Sequence, residues 1–462
     1  MSKNYNLWTI GCQMNEADSR HLGSQLEALG YSPEEDPRDA DLVVLNTCVV
    51  RQSAEDKAIG RLHFVEHLKK KKPEMTIGLM GCMVGMKEAK RLKEEYPFVD
   101  VFMPPSDTEP LLEYIAENEM VDLGKIDDTY IKAVHNAIQD EEHILPALRR
   151  NKAVIANVPI VLGCSHSCTF CIIPFRRGAE RSKSKEEILR EIQKLTDQGV
   201  REVMLLGQIV DRYGEDLDEE YDLADLMHDV ARNEKLWRIR FLTGHPSYWT
   251  EKMTKAVRDI PKVMPHIELP IQAGNDKVLK DMNRGYTQQD FRDQIKSIRE
   301  IMPDVTINTD IIVGFPGESD KEFEDTYNLL KELRMDKVHL AKYSVRPKTI
   351  AARKMEDDVP EEIKEQRRQR IDELFDDIMA EKNEKYLGTE VEVLVEGKVK
   401  NRWRGRTPCN RLVFFEDDNP DIQGALVNIH IEWTGPYTLI GNMTGIVKPP
   451  FVSPLSPAAL SL

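Results

Sequence analysis

Apolar residues follow one rhythm through most of this chain and another near its end. Asn6–Ile10, Leu42–Asn46 and Thr76–Met80 are apolar runs of strand length. Each precedes a stretch with helical spacing. Leu22, Leu26 and Leu29 share one face of the first helix, and Ile59, Leu62, Val65 and Leu68 share one face of the second. Strand–helix alternation predicts a parallel sheet covered on both faces. From Val158 the alternation resumes, with candidate strands Pro159–Leu162, Val203–Leu206, Ile239–Leu242, His266–Pro270, Thr306–Val313 and Lys337–Lys342. Helix-length segments such as Lys185–Leu195 and Gln288–Ile301 lie between them. Six such units predict a partial (β/α)6 barrel with its site at the C-terminal ends of the strands.

Glu361–Tyr386 is dense in Lys, Arg and Glu at helical spacing and reads as a linker helix. Beyond it Val391–Val395, Leu412–Phe415, Val427–Glu432 and Thr438–Ile446 alternate apolar with polar between Gly, Pro and Asn turns, which predicts a small OB-like antiparallel β-barrel. The fold class is α/β with an all-β module appended. The boundaries follow: an N-terminal α/β domain over 1–126, a connector over 127–150, the partial barrel over 151–358, the linker helix over 359–387, the β-barrel over 388–449 and a tail over 450–462.

Composition narrows the class. Charged residues are 31% and apolar ones 40%, as in a soluble globular chain. No apolar run nears the ~20 residues of a membrane span, and Met1–Leu7 lacks a signal-peptide pattern. Seven cysteines, an odd number, fit a reducing cytoplasm. The net charge of −16 speaks against nucleic acid only globally, because charges are screened beyond about 8 Å. A local basic patch exists: Lys398, Lys400, Arg402, Arg404, Arg406 and Arg411 surround Trp403 without an acid among them. Phosphates can pair with the cations while a base lies on the ring; a solvated charged hairpin is the plainer reading.

Cysteine placement carries the chemistry. Cys164, Cys168 and Cys171 are spaced by three residues and then two, in G-C-S-H-S-C-T-F-C-I. That is wrong for a disulfide framework and one ligand short of a closed zinc site, unless His166 serves as the fourth. A [4Fe–4S] cube held by three thiolates keeps one iron open to a small molecule. Cys12, Cys48 and Cys82 each sit just past one of the first three strands. Strands of an open parallel sheet share a carboxyl rim, so these thiols should meet in space, with helix N-termini favouring an anionic cluster. Three separate buried cysteines are the alternative. Cys409 has no partner nearby and reads as incidental.

The continuation C-S-H-S-C-T-F-C-I-I-P-F-R-R-G-A-E-R-S resembles the cluster loop of radical S-adenosylmethionine (SAM) enzymes and, more narrowly, the methylthiotransferases. T-I-G-C-Q-M-N-E-A-D-S, L-N-T-C-V-V-R and G-L-M-G-C-M resemble that family's N-terminal domain, and G-R-T-P-C-N-R-L-V its TRAM domain. The resemblance runs from Gly11 to about Val447. It implies two [4Fe–4S] clusters, one on Cys164, Cys168 and Cys171 that cleaves SAM to a 5′-deoxyadenosyl radical, and a sulfur-donating one on Cys12, Cys48 and Cys82. A second SAM supplies the methyl group. L-L-G-Q, L-P-I-Q-A-G-N-D and T-D-I-I-V-G-F-P-G-E are similar to SAM-facing segments. They make Phe170, Ile172, Gln208, Gln272, Asp310, Ile312, Val313 and Tyr343 candidate SAM contacts. Ala273, Asn275, Ile209 and Arg176 depart from the family pattern and leave fine contacts open.

G-C-Q-M-N is similar to the branch that acts on tRNA. The implied reaction puts a methylthio group on C2 of N6-isopentenyladenosine, position 37, beside the anticodon. The implied partners are the anticodon stem-loop of tRNA and a reductant such as flavodoxin or ferredoxin, for a cytoplasmic monomer. The competing expectations are N6-threonylcarbamoyladenosine as substrate, a ribosomal protein as substrate, and a zinc-stabilised RNA-binding protein without catalysis.

Overall fold

A computed structural model of the protein describes residues 3–50, 52–120, 144–146, 150 and 152–451. The connector expected over 127–150 and the tail over 450–462 lie largely outside the described residues. The chain divides into two compact units. One is Met1–Arg150 with Leu162–Ser165 and Ile172–Glu180, and the other is the remainder.

The first unit is a parallel sheet in the order β2-β1-β3-β4-β5, from β1 (Asn4–Thr9), β2 (Ser32–Pro33), β3 (Leu42–Thr47), β4 (Thr76–Gly81) and β5 (Val101–Met103). Its helices are α1 (Gln13–Ala28), α2 (Gln52–Lys71), α3 (Ala89–Glu95), α4 (Glu109–Met120) and a short α5 (Ile173–Arg177). The central strand β3 is buried along its whole length because both faces are covered. Period-two alternation sorts its residues. Val43 and Leu45 lie in one core with Ala58, Leu62 and Val65 of α2. Leu42 and Val44 lie in the other with Leu22 and Leu26 of α1 and Leu111 and Ile115 of α4. The sequence reading missed β2 and β5, which at two and three residues are too short to show a period.

In the second unit β6 (Ile155–Pro159), β7 (Glu202–Leu206) and β8 (Arg238–Leu242) form one parallel sheet in the order β8-β7-β6. A second sheet runs β9 (His266–Glu268), β10 (Thr306–Val313) and β11 (Lys337–Lys342). A parallel bridge between Ile239 and Val263 links β8 to the segment leading into β9. The six strands expected are present, although the first begins earlier than Pro159–Leu162. The intervening helices include α6 (Lys185–Asp197), α7 (Leu223–Ala231), α8 (Glu251–Asp259), α9 (Gln288–Ile301) and α10 (Asp320–Leu333). Each starts on a capping side chain, respectively Ser184, Asp222, Thr250, Thr287 and Ser319, which accepts a backbone N–H of the first turn.

Helix α11 (Glu361–Glu384) leads to a closed barrel of β12 (Glu390–Val399), β13 (Arg402–Arg406), β14 (Leu412–Glu416), β15 (Leu426–Thr434) and β16 (Thr438–Lys448), in the order β12-β13-β14-β16-β15. Strand β13 lies inside the basic stretch that the sequence reading left without structure. The β-barrel is bolted to the larger barrel by two arginines that are each 1% exposed. Arg240 donates to Glu202 Oε1 at 2.9 Å, to Pro408 O at 2.9 Å and to Thr407 O at 2.8 Å. Arg238 donates to Arg406 O at 2.7 Å and Glu392 Oε1 at 2.9 Å. Arg240→Met removes the counter-charge of Glu202 and strips donors from two carbonyls. Breaking a buried pair in this way should cost about 3–5 kcal/mol. A denaturant series on the purified chain checks this, with Glu202→Gln/Arg240→Met recovering part of the loss.

Candidate active site

Three loops leave one edge of the first unit's sheet at the same level. Thr9 of β1 is in register with Asn46 of β3, and Thr47 of β3 with Gly81 of β4. Cys12, Cys48 and Cys82 follow. Glycine makes this convergence possible. A Cβ on Gly11, whose φ is +152°, would lie 2.9 Å from Cys48 Cβ and 2.4 Å from Asn15 Oδ1. On Gly81, at φ +98°, it would lie 2.4 Å from Thr47 O. Asn15 in the first turn of α1 donates to Asn46 Oδ1 at 2.8 Å and Thr47 O at 3.1 Å, and Asn46 returns a bond to Asn15 O at 2.9 Å. Its Oδ1 sits 3.3 Å from Cys12 Sγ.

The thiols therefore meet, as the rim argument expected. Cys48 and Cys82 are within hydrogen-bonding reach; that bond, with burial adding to it, raises the Cys48 thiol pKa, and the same bond lowers that of Cys82 against the opposing effect of burial. Burial is the main cause that raises the Cys12 thiol, with Cys82 adding to it. Cys12 is exposed and the other two are buried, so the trio opens to solvent on one side. The guanidinium of Arg177, at the end of α5, lies beside Cys82 and helps to hold its pKa down. Sequence reading did not single out Arg177 or Asn15, though both stand in quoted motifs.

Around the second trio, the amide of Cys164 donates to Gly178 O at 3.1 Å in the first unit. In the second unit Cys168 Sγ accepts from Arg284 Nη1 at 3.1 Å and lies 3.2 Å from His166 Nδ1. Arg284 is held by Pro270 O at 2.9 Å and Tyr286 Oη at 2.9 Å. Thr169 fixes the same loop, its N–H donating to Met282 O at 3.0 Å and its hydroxyl to Asp281 O at 2.8 Å. Burial, then the charge of Arg284, lowers the pKa of His166. His245, whose ring lies 4.7 Å from that of His166, falls to about 2 for the same reasons. Both imidazoles are neutral at pH 7. Arg284 lies over a hundred residues beyond the cysteine loop, and no local pattern could have found it.

The barrel wall separates the candidate SAM contacts. Asp310 and Ile312 share one half-buried face of β10, whereas Val313 points the other way and is fully buried. Tyr343 is 5% exposed, edge-on to Phe315 with Lys364 over its ring, and Ile172 is 3% exposed at the start of α5. Val313, Tyr343 and Ile172 are thus the most buried of the candidate SAM contacts. Phe170 and Gln208 are half-buried. Gln272, at φ +78°, hydrogen-bonds with its backbone to both Asp310 and Ile312. These bonds form a parallel bridge that sets Gln272 alongside Ile311 of β10.

Family models match in chain order. Residues 4–104 match uncharacterized protein family UPF0004, 158–330 the radical SAM superfamily and 384–444 the TRAM domain. A tRNA-2-methylthio-N(6)-dimethylallyladenosine synthase from Roseiflexus sp. is 45% identical over 95% of this chain and 89% of its own. Another, from Herpetosiphon aurantiacus, is 45% identical over 96% of this chain and 97% of its own. The chain belongs to the tRNA-2-methylthio-N(6)-dimethylallyladenosine synthase family. The solved structure of radical S-adenosylmethionine methyltransferase TsrM from Kitasatospora setae shares the fold, with TM-score 0.54 and 11% identity over 76% of this chain and 77% of that one. Membership of the radical SAM superfamily brings an iron–sulfur cluster and SAM with it.

Within this synthase-family chain the basic patch divides by strand alternation. Arg402 and Arg404 face solvent from β13, as do Lys398 and Lys400 from the β12–β13 hairpin. Trp403 is 3% exposed in the β-barrel core and donates to Asp417 O at 3.2 Å. No base can stack on it, which corrects the expectation. Arg411 is also buried and committed, to Asp336 at 2.7 Å. Arg406 lies 3.0 Å from Glu396 and Arg402 the same distance from Glu416, so part of the patch is already neutralised. No helix among the described residues is long and apolar enough to cross a membrane.

Inside the larger barrel Glu268, Asp310 and His339 bring one donor atom each within 4.8 Å of the others. Burial and the charge of Asp310 push the Glu268 carboxyl up to about 8, against a smaller opposing pull from Lys337. A raised acid binds its proton more tightly folded than unfolded, so stability falls as pH rises from the unfolded value, near 4.3, to 8. Glu268→Gln should therefore be more stable than wild type, by a margin that grows from pH 5 to 8 and then levels. Melting temperatures measured from pH 5 to 9 check it; a pH-independent margin contradicts it.

Proposed function

We propose that the protein inserts a methylthio group at C2 of N6-isopentenyladenosine in tRNA, at position 37 beside the anticodon. The observation that carries this reading is the meeting of Cys12, Cys48 and Cys82 in a chain whose relatives, at 40–45% identity, are named for that reaction. Cys164, Cys168 and Cys171 would hold one [4Fe–4S] cluster and the strand-end trio a second. The first trio fits such a group: its thiols converge, one side is open, and Nε and Nη2 of the buried Arg177 beside Cys82 have no partner among the described residues. Loaded clusters and SAM would supply a radical able to remove the C2 hydrogen and a methylated sulfur to replace it.

The chain's own residues explain why a cofactor is needed. An aromatic C–H is far too weak an acid for any side-chain base, so position and dryness are what the protein can add. Asn15 fixes the Cys12 loop, and Arg284 fixes Cys168 while offsetting its charge. Gln208, Gln272, Asp310 and Ile312, together with Phe170, Ile172, Val313 and Tyr343, are the residues that would contact SAM. The target base must leave its stack, which a loop position makes cheaper. Arg402, Arg404, Lys398 and Lys400 are suited to the phosphates of the anticodon stem-loop. A flavodoxin- or ferredoxin-like reductant completes the reaction, in a cytoplasmic monomer.

Two cubane clusters require about eight iron atoms per chain, four in each. After anaerobic reconstitution, Cys12→Ala should still cleave SAM reductively but insert no sulfur, while Cys168→Ala should lose cleavage. Mass spectrometry of nucleosides from modified RNA reads the product, and a methylthiolated threonylcarbamoyl nucleoside would redirect the substrate assignment. Colourless protein with stoichiometric zinc would end the reading. On the RNA side, Arg404→Ala should weaken stem-loop binding and reduce the salt slope by about one. Trp403→Ala should instead destabilise the fold by about 3–5 kcal/mol, as large core truncations do. Filter binding across salt, beside thermal melts, distinguishes the two.

A further inference from the structure

Arg177 is the feature of the first unit that the chemistry above leaves unused. It closes α5, six residues beyond Cys171, and reaches the other trio. Its side chain is 3% exposed. Nη1 donates to Ser106 Oγ at 3.4 Å, and Nη2 stands 3.6 Å from Asp18 Oδ2, too far for a good hydrogen bond. Asp18 spends its other oxygen on the Ser106 hydroxyl at 2.7 Å. Among the described residues Nε and Nη2 of Arg177 have no hydrogen-bond partner, and the guanidinium otherwise reaches only the Cys82 thiol. Each unsatisfied buried donor costs on the order of 1–3 kcal/mol, more when the group is charged. The guanidinium also lies beside Cys82 and within electrostatic reach of Cys12. A buried cation with idle donors, beside the Cys82 thiol and within reach of Cys12, is a site prepared for an anion that the protein itself does not contain.

We infer that Arg177 is a positioning residue for the sulfur-donating cluster: its idle N–H groups bond to that cluster's sulfur atoms, and its charge favours the cluster's reduced state. This rests on the reading that Cys12, Cys48 and Cys82 hold the second cluster. Three thiolates around a [4Fe–4S]2+ core carry a net charge of about −1, and one further electron makes it about −2. A fixed positive charge nearby lowers the energy of the second state more than the first. Hydrogen bonds to cluster sulfurs act in the same direction. Asp18 opposes Arg177, so the pair sets the potential between them. Gly178 extends the link: its carbonyl holds the amide of Cys164, so the segment that fixes one trio's ligand also carries the cation of the other.

The test uses the full-length chain with Cys164, Cys168 and Cys171 all changed to Ala, reconstituted anaerobically so that only the first trio can be loaded. Iron content and redox titration followed by electron paramagnetic resonance are the readouts. Arg177→Met should lower the midpoint potential by at least a tenfold change in the reduction equilibrium, about 59 mV for one electron. Arg177→Lys should retain most of the original value, and Asp18→Asn should move it upward. A loaded Arg177→Met variant with an unchanged midpoint overturns the assignment. So does a downward shift, or none, in Asp18→Asn, which decides the matter if Arg177→Met fails to load. A parent chain that binds no iron refutes the cluster reading itself, and this inference with it; a merely structural Arg177 would alter melting temperature and leave the midpoint alone.

Discussion

The approach of three sheet-edge loops to within van der Waals contact is the constraint on which the candidate site depends. Parallel register delivers Cys12, Cys48 and Cys82 to one edge, but register alone leaves strands nearly 5 Å apart and their side chains diverging. Gly11 and Gly81 remove the Cβ atoms that would otherwise strike Cys48 and Thr47, and both adopt backbone angles that other residues resist. The Asn15–Asn46 exchange then ties the first turn of α1 to the end of β3. A trio held this way is placed by backbone geometry.

Charge is handled differently around the thiols and at the seam between the β-barrel and the larger barrel. Around the thiols, cations are buried with few partners: Arg177 has one carboxylate at a long distance, and Arg284 turns to Cys168, a tyrosine and a carbonyl. Such an arrangement is costly in isolation and suits a site meant to receive negative charge. Where the β-barrel meets the larger barrel, Arg238, Arg240 and Arg411 are buried with carboxylates and carbonyls at good distances. Those arginines fasten one module to another. The loop 406–411 that supplies the carbonyls belongs to the stretch whose basic character suggested RNA, so its residues divide between fastening and surface charge.

Much of the fold could be read before any coordinates existed. Strand–helix alternation located the central strands of the parallel sheets, because a strand buried on two faces must be apolar throughout. Ser184, Thr250 and Thr287 cap helix starts by bonds within their own first turn, a local signal that the sequence reading did not use. Short edge strands β2 and β5 escaped, having too few residues for a period. Strand β13 escaped because Arg402, Arg404 and Arg406 alternate with Trp403 and Gly405, and the charges mask the two inward positions. The same alternation explains the misassigned Trp403, whose ring the β-barrel core needs.

The sequence by itself determined the chemistry available: which cysteines stand near strand ends, how three of them are spaced in one loop, and the order of the modules. These are local or periodic properties, set by neighbours along the chain. The tertiary structure alone decided which cations face which sulfurs, that Trp403 fills the β-barrel core, and that Arg411 is committed to Asp336. Those facts join residues dozens to more than a hundred positions apart, through close packing and the need to satisfy buried charge. No period or motif encodes a contact of that range, because its energy exists only once both partners have left water together.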